Sequence, residues 1–172
     1  SDALGGAINI ITKKNIKNYI DASYGAGSFH THKADLNSQY TDQKTGIFIR
    51  PTLGVNYSKN DYMMKDVKVP DANRDGFKVV DARRFHDDYF SFLGQLNVGV
   101  INKRWADLFA ITASYSFVNK ELQVGSARDK VYGMAERENK SYAIIAQYVK
   151  KDLFVKGLAS DLSISHTLDY SI

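Results

Sequence analysis

Cysteine is absent from the 172 residues, and only two prolines occur. Without cysteine the chain can form no disulfide bond, thiolate metal site or thiol nucleophile. Scarce proline permits long strands, because each proline removes a donor from the hydrogen-bond ladder. No stretch approaches the roughly 18 consecutive apolar residues of a membrane-spanning helix. The sequence also lacks a G-x-S-x-G elbow and a P-loop, and we therefore expect no enzymatic activity.

Alternation of apolar and polar residues is the main pattern that is present. It runs through 47–58, 89–101, 108–118 and 158–172, with weaker versions at 18–26, 29–41 and 141–149. A period of two residues puts successive side chains on opposite faces of a β-strand. The predicted apolar face includes Phe92, Leu96, Val98, Ile111, Ala113, Ile164 and Leu168. The predicted polar face includes Ser91, Gln95, Asn97, Thr112, Ser114, Ser163 and Ser165.

Three properties of these stretches favour a transmembrane β-barrel over a soluble β-sandwich, which also alternates. The stretches run to about 10–13 residues, where soluble strands average about 5–6 and transmembrane strands need 9–11. Their polar positions carry mostly Ser, Thr, Asn, Gln and Asp, as a wet lumen requires. Short turns, predicted at 25–28, 42–46, 102–107 and 150–157, are separated by long loops at 59–88 and 119–140. Short turns on one side and long loops on the other are typical of outer-membrane barrels.

Aromatic residues make up 12% of the chain and lie near the predicted strand ends. Those near the loops are Tyr24, Tyr57, Phe90, Phe117 and Tyr142, and those near the turns are Tyr40, Trp105, Phe109 and Tyr148. Amphipathic rings at both ends of apolar strands suit the two interfaces of a bilayer. The net charge of +4 is scattered over the turns and the N-terminal segment without forming a basic stripe, and so we expect no nucleic-acid partner.

The first 14 residues follow a different pattern, Asp-Ala-Leu-Gly-Gly-Ala-Ile-Asn-Ile-Ile-Thr-Lys-Lys from Asp2 to Lys14. Paired glycines followed by isoleucines predict a short packed strand before a linker. This run closely resembles the end of the plug domain in TonB-dependent outer-membrane receptors, where such a segment leads into the first barrel strand. The matching positions include Gly5, Gly6, Asn9 and Thr12, and the "YGAGSF" run at 24–29 resembles the short first loop of that family.

The resemblance implies two regions, the end of a plug at 1–14 and the first part of a barrel at 15–172. It implies a barrel of roughly 22 strands, of which about seven are present. We therefore expect an internal fragment of a Gram-negative outer-membrane protein. The family imports a scarce nutrient of the siderophore-iron, cobalamin, haem or glycan type. Its implied partners are outer-membrane lipid, the nutrient, and a TonB-type energising protein that acts through an upstream part of the plug. The alternative is a passive porin or a structural barrel without a plug.

The long loop 59–88 holds the candidate ligand residues. Arg83 and Arg84, followed by His86, have the chemistry to bind a carboxylate or phosphate, and pairing of the arginines with Asp81, Asp87 and Asp88 is the alternative. Asp71, Asn73 and Asp75 match the first half of a calcium-binding loop, D-x-N-x-D-G, but Ala82 stands where the bidentate glutamate belongs. An ordinary Asp/Asn/Gly turn is the alternative to calcium. No other cofactor is predicted.

His30 and His32 alternate on one predicted strand face, an arrangement that could chelate a metal ion. No other ligating residue lies near them in the sequence, so that we expect them simply to face outward near the lipid headgroups. Together with His166 they are the only bases we consider for an outward-facing Ser/His/acid site, and His166 lies between the apolar residues Ile164 and Leu168.

Overall fold

The computed structural model describes residues 18–71, 75–124 and 131–172, and the described part is all β. Its strands, in chain order, are β1 (Tyr19–Gly27), β2 (Thr31–Thr41), β3 (Ile47–Ser58), β4 (Met63–Pro70), β5 (Phe77–Arg83), β6 (Tyr89–Ile101), β7 (Leu108–Val124), β8 (Val131–Lys150) and β9 (Ser160–Ser171). These residues contain no helix that is long and apolar enough to cross a membrane.

Seven of the strands form one antiparallel sheet in the order β1-β2-β3-β6-β7-β8-β9. Each neighbour in this order pairs antiparallel with the next, so the sheet is a meander interrupted once, between β3 and β6. The interruption holds β4 and β5, which pair with each other as a separate hairpin. The prediction of about seven antiparallel strands is confirmed for the main sheet, and β4 and β5 are two further strands in the described part.

The connections lie at two opposite borders of the sheet, where the strands begin and end, and we call these borders the turn edge and the loop edge. One edge, the turn edge, contains Asn18 and the links 42–46, 102–107 and 151–159. There the side-chain oxygen of Asn18 accepts a hydrogen bond from the backbone N–H of Thr41, at 2.6 Å. The opposite edge, the loop edge, contains the turn 28–30, the segment 59–88 and the joined ends of β7 and β8.

Three predicted connections differ from the structure. The first turn lies at 28–30 rather than 25–28, because β1 continues to Gly27, which pairs with Thr31. The predicted loop 119–140 is wrong, since β7 continues to Val124 and β8 begins at Val131. The predicted loop 59–88 contains the β4–β5 hairpin. In both segments the paired residues of the described part satisfy their backbone hydrogen bonds with the neighbouring strand, whereas a loop would satisfy them with water.

Candidate functional site: two sheet faces and the loop edge

The cross-strand register sorts the side chains of the seven-stranded sheet into two faces. Directly opposed residues of an antiparallel pair share a face. Leu96 opposes Ala113, which opposes Ile144, and the neighbouring row runs from Ile49 through Val98 and Ile111 to Ala146 and Ile164. The row on the other side of Leu96 runs from Thr52 through Gln95 and Ser114 to Ala143 and Thr167. Every residue of the predicted apolar set lies on one face, and every residue of the predicted polar set lies on the other.

The apolar face, defined by the rows of Leu96 and Val98 and those parallel to them, is exposed. Ile20, Ile144 and Ile164 are 81%, 58% and 75% exposed. The buried apolar residues of the described chain are Phe48, Ala106 and Ala110, and none of them lies on this face. Covering an aliphatic side chain is worth about 1.5–3 kcal/mol. A face of this size therefore needs a cover that the described residues do not provide.

Aromatic rings cross the apolar face in two rows. Near the loop edge, Phe92, Tyr115, Tyr142 and Tyr170 form a chain with ring centroids 6.1, 4.8 and 6.3 Å apart. Near the turn edge, Trp105 packs against Phe109 at 5.6 Å and its backbone oxygen accepts a hydrogen bond from the Tyr148 hydroxyl. Beyond Tyr115 on β7, Phe117 packs against Phe90 with ring centroids 5.9 Å apart. Phe109 and Phe117 are eight positions apart along β7, about 26 Å at roughly 3.3 Å per residue. This spacing is close to the apolar band of about 25 Å in outer-membrane barrels.

Hydrogen bonds between side chains connect neighbouring strands across the polar face. The amide of Asn56 donates to Ser91 at 3.2 Å, and that of Asn97 donates to Thr112. Apolar residues also occur on this face, among them Leu93, Ile145 and Phe48. The Phe48 ring lies over Gly99 of β6 and beneath the guanidinium of Arg50, 4.5 Å from the ring centroid. An aromatic ring that covers a cross-strand glycine stabilises an otherwise bare patch of backbone.

Asp87 is the centre of a charged cluster at the loop edge, although it is only 4% exposed. Its carboxylate lies 2.7 Å from Nε of Arg84 and 2.7 Å from Nζ of Lys120 on β7. Arg84 also donates to the Tyr62 hydroxyl at 2.6 Å and stacks over that ring. We call Asp87, Arg84, Lys120 and Tyr62 the latch, because they join the segment after the β4–β5 hairpin to the segment before it and to β7.

The charge of Arg84 is secure within the latch. Burial acts to lower its pKa, but the hydrogen bond and the negative charge of Asp87 outweigh that effect, and the pKa of Arg84 is raised. The predicted pairing with Asp87 is present. Asp81 instead pairs with Lys65 at 2.6 Å, and Asp88 accepts a hydrogen bond from the Tyr57 hydroxyl at 2.9 Å.

The other two predicted ligand residues differ in how tightly the protein holds them. His86 contacts both β7 and β8, since its Nε2 is 3.0 Å from the carbonyl oxygen of Ala135 on β8 and its Nδ1 is 3.5 Å from Glu121 on β7. Arg83 is more accessible, since 68% of its side chain is exposed and its guanidinium is 3.4 Å from Asp61. The three residues are consecutive or nearly so, yet Arg83 is the one with a largely exposed charged group.

His30 is not on a strand, which corrects the expected alternation with His32. It occupies the turn 28–30 with a φ of 55° and lies 3.6 Å from Asp61. His32 lies on β2, where its Nδ1 is 2.7 Å from the Tyr24 hydroxyl. The two rings therefore have different partners on different elements, and a shared metal ion is not supported by this placement.

The calcium hypothesis falls partly outside the described residues, because Asn73 does. Asp71 and Asp75 are described and flank a hairpin turn, in which the backbone N–H of Asp71 donates to the carbonyl of Gly76 at 3.1 Å. Among the residues that the structure describes, no group of three or more His, Asp or Glu side chains is arranged to hold a metal ion. The plug-end residues Gly5, Gly6, Asn9 and Thr12 also lie outside the described residues.

No protein-family model, no curated protein and no solved structure matches the chain. Its function must therefore follow from the two faces of the sheet and from the residues at the loop edge.

Proposed function

We propose that the chain forms part of the wall of an outer-membrane β-barrel, in a nutrient receptor of the TonB-dependent type. The observation that carries the barrel assignment is the exposed apolar face of the seven-stranded sheet, opposite a polar face joined by side-chain hydrogen bonds. Lipid covers such an apolar face, and water in a lumen solvates such a polar face. The aromatic rows then lie at the two bilayer interfaces.

A soluble sandwich would need a second layer over the apolar face. The only other sheet in the described part is the β4–β5 hairpin, and it lies in the loop-edge segment between β3 and β6. Barrel closure also supplies partners for the outer edges of β1 and β9, which pair on one side only within the described strands.

The receptor assignment rests on the resemblance of residues 2–14 and on the elaborate loop edge. In this proposal the loop edge faces the outside and binds the nutrient, and the turn edge faces the periplasm. An energising inner-membrane partner drives release through the plug, so affinity outside is combined with energy-dependent release inside. No covalent chemistry is required of the chain.

A cysteine placed on either face would be the only thiol within these 172 residues, so that each face can be labelled at one defined position. Leu96 and Asn97 are neighbours on β6 and lie on opposite faces. Leu96→Cys and Asn97→Cys, each labelled with bimane in the full-length protein in membrane vesicles, should respond to different quenchers. We expect a lipid-borne nitroxide to quench the label at 96, and iodide in the water to quench the label at 97. Equal quenching of both labels by either reagent would contradict the proposed orientation.

A second measurement separates the receptor from a passive porin. A planar bilayer that contains the full-length protein should show little open-channel conductance, because a plug closes the lumen. Stable, large conductance from the unmodified protein would favour the porin.

A further inference from the structure

A cavity of about 650 Å³ lies at the loop edge, between the β4–β5 hairpin and the joined ends of β7 and β8. Its lining follows β4 along its full length and includes Gln123 of β7 and Val131 of β8. The volume is in the range of cavities that hold small organic ligands, about 300–1,000 Å³. The latch borders this cavity, because Tyr62 and Arg84 belong to both.

The lining combines apolar side chains with cationic ones. The apolar part comes from methionine and valine of β4, with Phe85 and Val131. Methionine side chains are flexible and polarisable, and adapt to ligands of irregular shape. The charged residues of the lining are Lys65, Lys68, Arg83, Arg84 and Asp66, four cations against one carboxylate.

Two of these cations are available to a ligand. Lys65 is paired with Asp81 and Arg84 with Asp87, at 2.6 and 2.7 Å. Arg83 donates from Nε to the backbone oxygen of Asp61 at 2.9 Å, but its side chain is mostly exposed and its contact with the Asp61 carboxylate is longer, at 3.4 Å. Lys68 is exposed, and no carboxylate of the described chain lies within ion-pair distance of it. The positive charge available in the cavity therefore comes from Lys68 and Arg83.

The edge of β4 is poorly suited to an added peptide strand. Its register shifts between Met64 and Val67, where Asp66 has a φ of 54°, and the strand ends at Pro70. A bulge, edge lysines and a terminal proline all oppose pairing with another strand. A compact ligand held by side chains fits this cavity better than an extended peptide.

We infer that this cavity binds a small amphipathic organic anion. Its apolar body lies against the methionine and valine side chains of β4, and its anionic group pairs with Lys68 and Arg83. The inference rests on the proposed function in one respect, since the cavity meets external solutes only if the loop edge faces outside. The latch positions the walls, and the two cations give selectivity for negative charge.

The test uses two probes that share a ring system and differ in charge, naphthalene-2-sulfonate and 2-naphthylmethylammonium. A bimane label at Val131→Cys in the full-length protein, in membrane vesicles, reports occupancy of the cavity. We expect a saturable fluorescence change with the sulfonate, and at least tenfold weaker binding of the ammonium compound. Lys68→Gln should weaken sulfonate binding several-fold, and Lys68→Gln with Arg83→Gln at least tenfold. Lys44→Gln, which removes an exposed lysine at the turn edge, is the matched control and should leave binding unchanged.

Several results would overturn the inference. They are equal responses to both probes, no saturable response, or unchanged binding in the double variant. Because Lys68 has no carboxylate partner among the residues that the structure describes, its single variant should fold normally even if Arg83→Gln disturbs the hairpin. An extended acidic peptide that binds where the sulfonate does not would assign the cavity to strand pairing instead. Quenching of the labels at 96 and 97 in the same membranes distinguishes failure of this inference from failure of the proposed function. If the lipid nitroxide quenches the label at 96 and iodide quenches the label at 97, but no anion binds, only this inference fails. If both labels are quenched equally, the proposed orientation itself fails.

Discussion

Gly99→Ala should destabilise the sheet strongly, because the polar face has no room for a methyl group at this position. An added Cβ would overlap the backbone oxygen of Phe109, and would lie 2.7 Å from Cζ of Phe48 and 2.9 Å from Cα of Ala110. The Phe48 ring can move, but two of the three obstacles are backbone atoms of β7, the strand paired with Gly99. Relief requires β6 and β7 to separate locally, which would break ladder hydrogen bonds.

The expected loss in the free energy of unfolding is about 3 kcal/mol, at the upper end of the usual 1–3 kcal/mol for overpacking. Gly25→Ala is the matched control, because Gly25 also lies on a strand and its added Cβ meets nothing within 4 Å. That substitution should be neutral, or stabilising by roughly 0.5 kcal/mol, through the lower conformational entropy of the unfolded chain.

Denaturant unfolding of the full-length protein in lipid vesicles, followed by the folding-dependent shift in gel mobility, measures both variants. Adding Phe48→Leu to Gly99→Ala tests the cause, and should restore only a small part of the loss because the backbone obstacles remain. Equal stabilities of the two glycine variants would refute the packing argument. Full recovery of stability by Phe48→Leu would show that the Phe48 ring, rather than the backbone of β7, excludes a methyl group at position 99.

Three further predictions concern lipid contact, the latch and pH. Leu96→Arg should cost about 2–4 kcal/mol at the bilayer midplane and Gln95→Arg much less, as vesicle unfolding would show, whereas similar costs would contradict the facing of β6. Asp87→Ala leaves two cations without their carboxylate and should cost up to about 3 kcal/mol, the low end for buried pairs because Lys120 keeps some access to water. In Asp87→Ala, proteolysis within 59–88 should be faster than in the wild type, and proteolysis at the 42–46 turn, which serves as the control, should not change. An unchanged rate within 59–88 would count against the latch. Hydrogen bonds from the Lys151 backbone and the Lys150 side chain lower the pKa of Asp107, so their stabilising effect is present above its ordinary pKa and is lost as the pH falls below about 4. The denaturant midpoint of the wild type should therefore fall more on acidification than that of Asp107→Asn, and parallel curves would refute this role.

The strands of the main sheet could largely be predicted from the sequence, because alternation is a property of neighbouring residues. The predicted strand ranges 47–58 and 89–101 agree with the structure, and so do the turns 42–46 and 102–107. In each case a sustained apolar–polar alternation ends at residues with turn chemistry, so that period and boundary agree.

The loop edge could not be predicted to the same extent. Beyond Phe117 the apolar face of β7 continues with Asn119 and Glu121, while Val118 and Leu122 lie on the opposite face, so the earlier alternation is lost although the strand continues. Pairing with β8 continues there because the backbone groups still satisfy each other. A signal for the β4–β5 hairpin was available, since Val67, Val69 and the valines of β5 flank the D-x-N-x-D-G turn. The ligand, calcium and plug-end residues stay predictions.

Away from the loop edge, the sequence by itself determined where the seven strands lie and which face their side chains occupy, because a period of two is encoded by adjacent residues. Only the tertiary structure decided that Asp87 pairs with both Arg84 and Lys120, that Arg83 remains accessible, and that Phe48 covers Gly99. Those contacts join residues that are mostly distant in the chain, and they depend on the strand register and on the path of segment 59–88. No local sequence pattern encodes the register or that path, because both follow from the packing of the whole sheet.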